Sequence, residues 1–140
     1  MPSDCVLCAQ DGGAVVWRSA GCRVVLPYEA GYPGFVRVIA SDHAPEMTDL
    51  APVQRTELMT VVWSVERVVR DVMRPTKINV ASLGNMVSHV HWHVIARFAS
   101  DAHFPGSVWS APQRDVSASE LAEWTQRAQG LAPALLMALS

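Results

Sequence analysis

Lysine is nearly missing from this 140-residue chain: Lys77 is the only one, and the formal net charge is -2. Arginine is spread thinly along the sequence, so no basic field exists to engage a nucleic-acid backbone, and no nucleic-acid partner is expected. Long apolar runs are absent as well. None approaches the ~20 residues of a membrane-spanning helix, so no membrane association is expected. The opening stretch MPSDCVLCAQDGG lacks the basic and apolar regions of a secretory signal, which makes the cytoplasm the expected location. Internal repeats and low-complexity linkers are lacking too, and the expectation is a single domain over 1–140, long enough to bury a core. Cysteine is scarce and odd in number, at Cys5, Cys8 and Cys22. That argues against a disulfide framework. Cys22 lies in the apolar run CRVVLP and reads as a small core residue. Cys5 and Cys8 form a C-x-x-C pair, which is half of a zinc site, a redox pair, or two unrelated small residues.

The elements that are present alternate between two periods. Strands are expected at 14–17, 22–27 and 35–40, with a Pro/Gly turn across 31–34 before the third. Leu58, Val61, Val62, Val65, Val68, Val69 and Val72 then recur at helical spacing, with Pro52 suited to the first turn and Pro75 a stop. Valine is a mediocre helix former, so packing must hold this helix. Strands follow at 76–83 and about 88–98, bent at Gly84-Asn85 and paired antiparallel. Residues 99–116 read as a loop. Ser117 with Glu120 opens a C-terminal helix through Trp124 to about Ala128, and Gly130 and Pro133 break the pattern before the apolar tail ALLMAL. The sum is an α+β fold with about five strands in an antiparallel sheet, one long helix and a C-terminal helix.

The most informative run is HVHWHVIARF, with His89, His91 and His93 at alternate positions. On a strand, residues two apart share a face, so the three imidazoles point one way and Val90, Trp92 and Val94 the other. Each ring would need partners for a donor and an acceptor if it were buried, which makes three core histidines a poor reading. Two chemistries suit the cluster. Neutral imidazoles bind zinc, and a neutral imidazole nitrogen can attack phosphorus while its neighbours donate to phosphoryl oxygens. Spacing alone does not choose between them.

The surrounding residues narrow the choice. Residues 89–95 match His-φ-His-φ-His-φ-φ, with φ apolar, and a strand ending in SDH (His43) precedes Leu50 and the long helix. Asn79 lies in the strand before the histidines, and Gly84 and Asn85 lie just ahead of them. Over roughly residues 5–98, with 99–140 a C-terminal loop and helix, the chain resembles the histidine-triad (HIT) family of nucleotide hydrolases and transferases. The resemblance implies a HIT-like fold and hydrolysis at the α-phosphate of dinucleoside polyphosphates, nucleoside phosphoramidates or AMP esters. His91 is then the nucleophile that forms a nucleotidyl-histidine, His93 and His43 donate to phosphate oxygens, and His89 stands at the edge to protonate or orient. Asn79, Gly84 and Asn85 hold the active loop and contact phosphate or ribose, over an apolar base pocket including Phe35 or Ile39. It also implies a homodimer and no cofactor for catalysis. In some relatives an N-terminal C-x-x-C and two histidines bind structural zinc, and the corresponding ligands here are Cys5, Cys8, His43 and His89.

Two departures bear on this expectation. Met86 stands where many relatives carry a hydroxyl residue, and Ser88, immediately before His89, would point away from the histidine face on a strand. Arg37 replaces an apolar residue and points to solvent or toward a polyphosphate. The loop residues Asp101, His103 and Trp109 offer accessory substrate contacts, a dimer arm or a lid. Two rival readings stand beside the enzyme: a non-catalytic nucleotide-binding module, and a metalloprotein whose ligands are the histidine triad itself.

Overall fold

In the computed structural model, which describes residues 4–140, the strands are β1 (Ala14–Arg18), β2 (Cys22–Leu26), β3 (Phe35–Ala40), β4 (Lys77–Ala81) and β5 (His91–Arg97). They form one antiparallel sheet in the order β1-β2-β3-β5-β4. The long helix α2 (Pro52–Met73) covers one face. Pro52 starts it, Gln54 Oε1 accepts from the Ala51 backbone N–H at 2.8 Å, and Arg74 ends it in the left-handed region at φ 49, just before Pro75. Proline cannot continue a helix, so the stop read from sequence is the stop observed. Leu58, Val62, Val65, Val69 and Met73 form the buried stripe of α2 and pack on Val36, Val38, Val94 and Ala96 of the sheet. Cys22 is a buried member of the same core. Met73 is fully buried, whereas Trp63 is exposed.

Three elements differ from expectation. Strand β5 begins at His91, not near 88, so His89 lies in the bend before the strand. A four-residue helix α1 (Val6–Ala9) holds the C-x-x-C segment. The apolar tail is not broken at Pro133: after α3 (Ala118–Ala128) comes α4 (Leu131–Leu139), with Pro133 in its first turn, where no intrahelical donor is needed. Leu131 and Leu135 are fully buried where α4 packs on α2 and β1. The Ser117 cap is as expected, with Ser117 Oγ accepting from Glu120 N at 3.2 Å. Trp124 of α3 stacks on Phe98, ring centroids 4.4 Å apart. Among the described residues no helix is long and apolar enough to cross a membrane.

Since α4 closes the core, Leu135→Ala is expected to cost about 2–5 kcal/mol in urea unfolding. Met137→Ala, on the exposed side of the same helix, is expected to stay within about 0.5 kcal/mol. Equal effects of the two would contradict this packing.

Candidate active site and metal centre

The face of the sheet opposite α2 carries the chemistry. In the β3–β5 register Arg37 pairs with His93 and Ile39 with His91, while Val36, Val38, Trp92 and Val94 take the helix side. His91 and His93 therefore share a face, ring centroids 5.0 Å apart. His91 Nδ1 donates to the His89 carbonyl at 2.6 Å. A ring that donates from Nδ1 keeps its lone pair on Nε2, the nitrogen available to attack. His93 is buried between Phe35 and Trp109, at 5.4 and 5.0 Å between centroids, and its Nδ1 has no hydrogen-bond partner. Burial, with the neighbouring His91 and Arg37 charges adding to it, pushes its pKa down to about 4, so the ring is neutral near pH 7.

A cavity of about 590 Å³ opens beside these two rings, within the range of roughly 300–1,000 Å³ common for small-molecule sites. One wall is the β4–β5 connection, with Leu83, Gly84, Asn85, Met86 and Val87. Gly84 takes φ +77 there, a conformation glycine adopts without strain. Val6 and Leu7 of α1 form a second wall beside Gly12, and Arg37, Ser107 and Trp109 complete it. The structure thus gathers His91, His93, Gly84 and Asn85 as expected. It leaves His43, His89 and Asn79 outside the cavity wall. Phe35 touches His93 but does not line the cavity, and Ile39 packs beneath it with Leu7 and Val25. Met86 is 97% exposed at the mouth. Ser88 lies on the other side of that connection, in the small hollow near Cys5 and His43, so it does not replace the missing hydroxyl. Arg37 is in the wall, neither free in solvent nor alone, donating to Glu29 Oε1 at 3.3 Å and to the Gly12 carbonyl at 3.4 Å.

His89 and His43 belong to a second centre. Sγ of Cys5 and Cys8 and Nδ1 of His43 and His89 converge within 4.8 Å of one another. His43 Nδ1 is 3.3 Å from His89 Nδ1 and 3.3 Å from Cys8 Sγ, and His89 Nδ1 is 3.5 Å from each sulfur. Tetrahedral zinc with its usual bond lengths requires ligand separations of about 3.3–3.6 Å for these pairs. His89 Nε2 donates to the Ala40 carbonyl at 2.7 Å, which fixes the tautomer with Nδ1 free to ligate. The cluster could hold a metal ion. This corrects three expectations. The triad does not lie on a single face, because both His89 nitrogens are engaged away from His91 and His93. For the same reason the three triad rings do not converge as a ligand set, as the metalloprotein rival requires. His43 and His89 are also turned from the cavity, where they were expected to serve the phosphate.

Beneath the cavity runs a buried network that the sequence reading did not identify. Arg97 donates to Asp101 Oδ2 and Oδ1 at 2.8 and 3.0 Å, to Asn79 Oδ1 at 2.7 Å and to the Gly106 carbonyl at 2.8 Å. Asn79 is thus a partner of Arg97 rather than a wall residue. Asp101 also accepts from the Phe98, His103 and Phe104 backbone N–H groups, and Tyr32 links Asp101 to His103 Nδ1. Burial would raise the Asp101 carboxyl, but the Arg97 bonds and the three backbone donors hold it down at about 2. Arg97 was within reach of the sequence: it continues the period-two series from His91, yet its role depends on a loop whose path the sequence does not reveal.

Comparison with known proteins agrees with this geometry. The model of the HIT domain family matches residues 10–100. An AP-4-A phosphorylase from Mycobacterium tuberculosis (strain ATCC 25618 / H37Rv) is 30% identical over 102 residues, covering 69% of this chain and 52% of that protein. An asymmetrical bis(5'-nucleosyl)-tetraphosphatase from Schizosaccharomyces pombe is 30% identical over 95 residues, covering 64% of this chain and 52% of that protein. The chain spans about half the length of these curated relatives. Among solved structures, a histidine triad protein from Bradyrhizobium japonicum superposes with a TM-score of 0.69 at 28% identity, covering 87% of this chain and 92% of that one. One from Marinobacter aquaeolei VT8 gives 0.68 at 26% identity, covering 89% and 92%.

The titrations predict acid sensitivity in two steps. His93 has a folded pKa of about 4, below the unfolded value of ~6.5, so its contribution to stability is full above ~6.5 and is lost as pH falls through about 4. Asp101, at about 2 against an unfolded value of ~3.9, contributes above ~3.9 and loses that contribution as pH falls toward 2. Urea midpoints measured from pH 7 to 2 should fall across both windows. Asp101→Asn should cost about 3–5 kcal/mol at pH 7, because it leaves the buried Arg97 without its counter-charge, and a cost under 1 kcal/mol would contradict the network.

Proposed function

The chain belongs to the HIT domain family, and from that premise we propose that it is a nucleotide hydrolase acting at the α-phosphate of dinucleoside polyphosphates, nucleoside phosphoramidates or related AMP esters. The observation that carries the reading is the His91 Nδ1 to His89 carbonyl bond, which leaves Nε2 as the basic nitrogen of a ring in the cavity wall. In the first step Nε2 bonds to the α-phosphorus, and the bond to the leaving group breaks with its electron pair on that group. In the second step water adds to phosphorus and releases a proton to solvent, the P–N bond breaks with its electron pair on Nε2, and a nucleoside monophosphate leaves with His91 restored. Gly84 and Asn85, in the wall beside His91, are assigned to the phosphate, and neutral His93 to the oxygens where charge builds. Asn79 is assigned a positioning role through Arg97.

For the cluster of Cys5, Cys8, His43 and His89 we propose structural zinc. Bound there, zinc would crosslink α1, the segment after β3 and the bend before β5, and it has no part in the two steps above. Cysteines serving as zinc thiolates would suit a reducing compartment, and a cytoplasmic location is part of the reading. Self-association into a homodimer is also part of the reading, supported by the outer edge of β4, which pairs with no further strand among the described residues and where Val80 is exposed, and by the exposed Trp63 on α2.

Two measurements test these assignments. Diadenosine tetraphosphate, diguanosine tetraphosphate and adenosine phosphoramidate should each be assayed for release of a nucleoside monophosphate. His91→Ala should lose about three orders of magnitude or more in kcat. Tight nucleotide binding by the wild type with no turnover of any of the three would sink the hydrolase in favour of a binding module. Elemental analysis should find one zinc per chain, absent from a Cys5→Ser/Cys8→Ser variant and present in His91→Ala, and zinc lost only with His91 would overturn the assignment.

A further inference from the structure

Arg37 is a cation in a cavity whose other walls are largely apolar, and the two steps above leave it without a task. Its place in the sheet says what it can reach. Its backbone lies between His93 on β5 and Val25 on β2, and its guanidinium stands over the Phe35 ring, 5.6 Å from the centroid, held by the Gly12 carbonyl and Glu29. Strands are about 4.8 Å apart, so Arg37 springs from the column next to the one that holds His91, and its hydrogen bonds go to Gly12 and Glu29 rather than to a histidine. That displacement suits the nucleoside attached to the phosphorus rather than the phosphorus itself.

Charge points the same way. The Glu29 carboxylate 3.3 Å from Arg37 offsets part of its charge and would itself repel a chain of phosphates. What remains is a planar pair of terminal nitrogens, fixed by two long bonds, each with a second N–H beyond the one given to Gly12 or Glu29. Val6, Leu7 and Val87 supply apolar wall around it. An apolar cavity wall with one fork of N–H donors suits recognition of a base. A guanidinium fork pairs with two adjacent acceptors. Guanine and hypoxanthine offer such a pair in O6 and N7, whereas adenine sets an amino donor beside N7, so one N–H of the fork meets another N–H.

We propose that Arg37, oriented by Glu29, selects the base of the nucleotide bound at this site, favouring a 6-oxopurine over adenine. The proposal rests on the nucleotide-site reading of the cavity. Calorimetric titration of the wild-type chain with GMP, IMP and AMP is the direct test. GMP and IMP are expected to bind roughly tenfold more tightly than AMP. Arg37→Leu should bring the three affinities together by weakening GMP and IMP, with AMP little changed, and Arg37→Lys, which keeps the charge but loses the fork, should do most of the same. Equal wild-type affinities, or a preference that survives Arg37→Leu, overturn the proposal while leaving the hydrolase reading intact. If none of the three nucleotides binds, both readings fall. The wild-type comparison stands even if Arg37→Leu does not fold.

Discussion

The register between β3 and β5 is the constraint on which the rest depends. These neighbouring strands carry Val36, Val38, Trp92 and Val94 toward α2, and Arg37, His91 and His93 away from it. A slip of one residue would send the imidazoles into the apolar core and the valines into the cavity. The core therefore enforces the site: the burial that seats Val38 and Val94 fixes where His91 stands. Because Val36, Val38 and Val94 have no measurable exposure, little freedom is left for an alternative pairing.

The two ends of this strand pair are finished by different means. At the His91 end, the bend before β5 turns His89 aside, so that its carbonyl steers His91 while its ring joins the cysteines and His43. At the Arg97 end, Asp101 gathers the loop that brings Trp109 against His93. One guanidinium thus joins β5 to β4 through Asn79 and to the loop through Asp101 and Gly106. A buried ion pair adds little net stability compared with apolar packing, but it specifies one geometry when each nitrogen is partnered, as the three of Arg97 are.

Much of this was legible in the sequence. The valine-rich helix, the five strands and the Ser117 cap follow from period and capping chemistry, and the antiparallel order agrees with them. Alternation placed His91 and His93 correctly. It failed at His89 because period-two reasoning presumes a strand, and the strand starts two residues later. The convergence of Cys5 and Cys8 on His43 and His89 spans up to 84 residues of chain, and local pattern carries no information at that distance. Only the family resemblance pointed there. Pro133 misled for a related reason: proline breaks a helix in its interior, not in its first turn, and where a turn begins depends on the packing of Leu131 and Leu135.

A four-residue helix has no stability of its own, and α1 is held from outside. Arg23, buried under it, donates to the Leu7, Gln10 and Asp11 carbonyls, Leu7 plugs into Val25 and Ile39, and Cys5 and Cys8 reach His43 and His89. None of these ties passes through α2 or the main core. This corner can accordingly unlatch while the sheet stays whole, so amide exchange there is decoupled from global unfolding. Since Val6 and Leu7 are also walls of the cavity, ligand affinity can be tuned by how firmly one corner is fastened, with no change to the melting behaviour of the body it is fastened to.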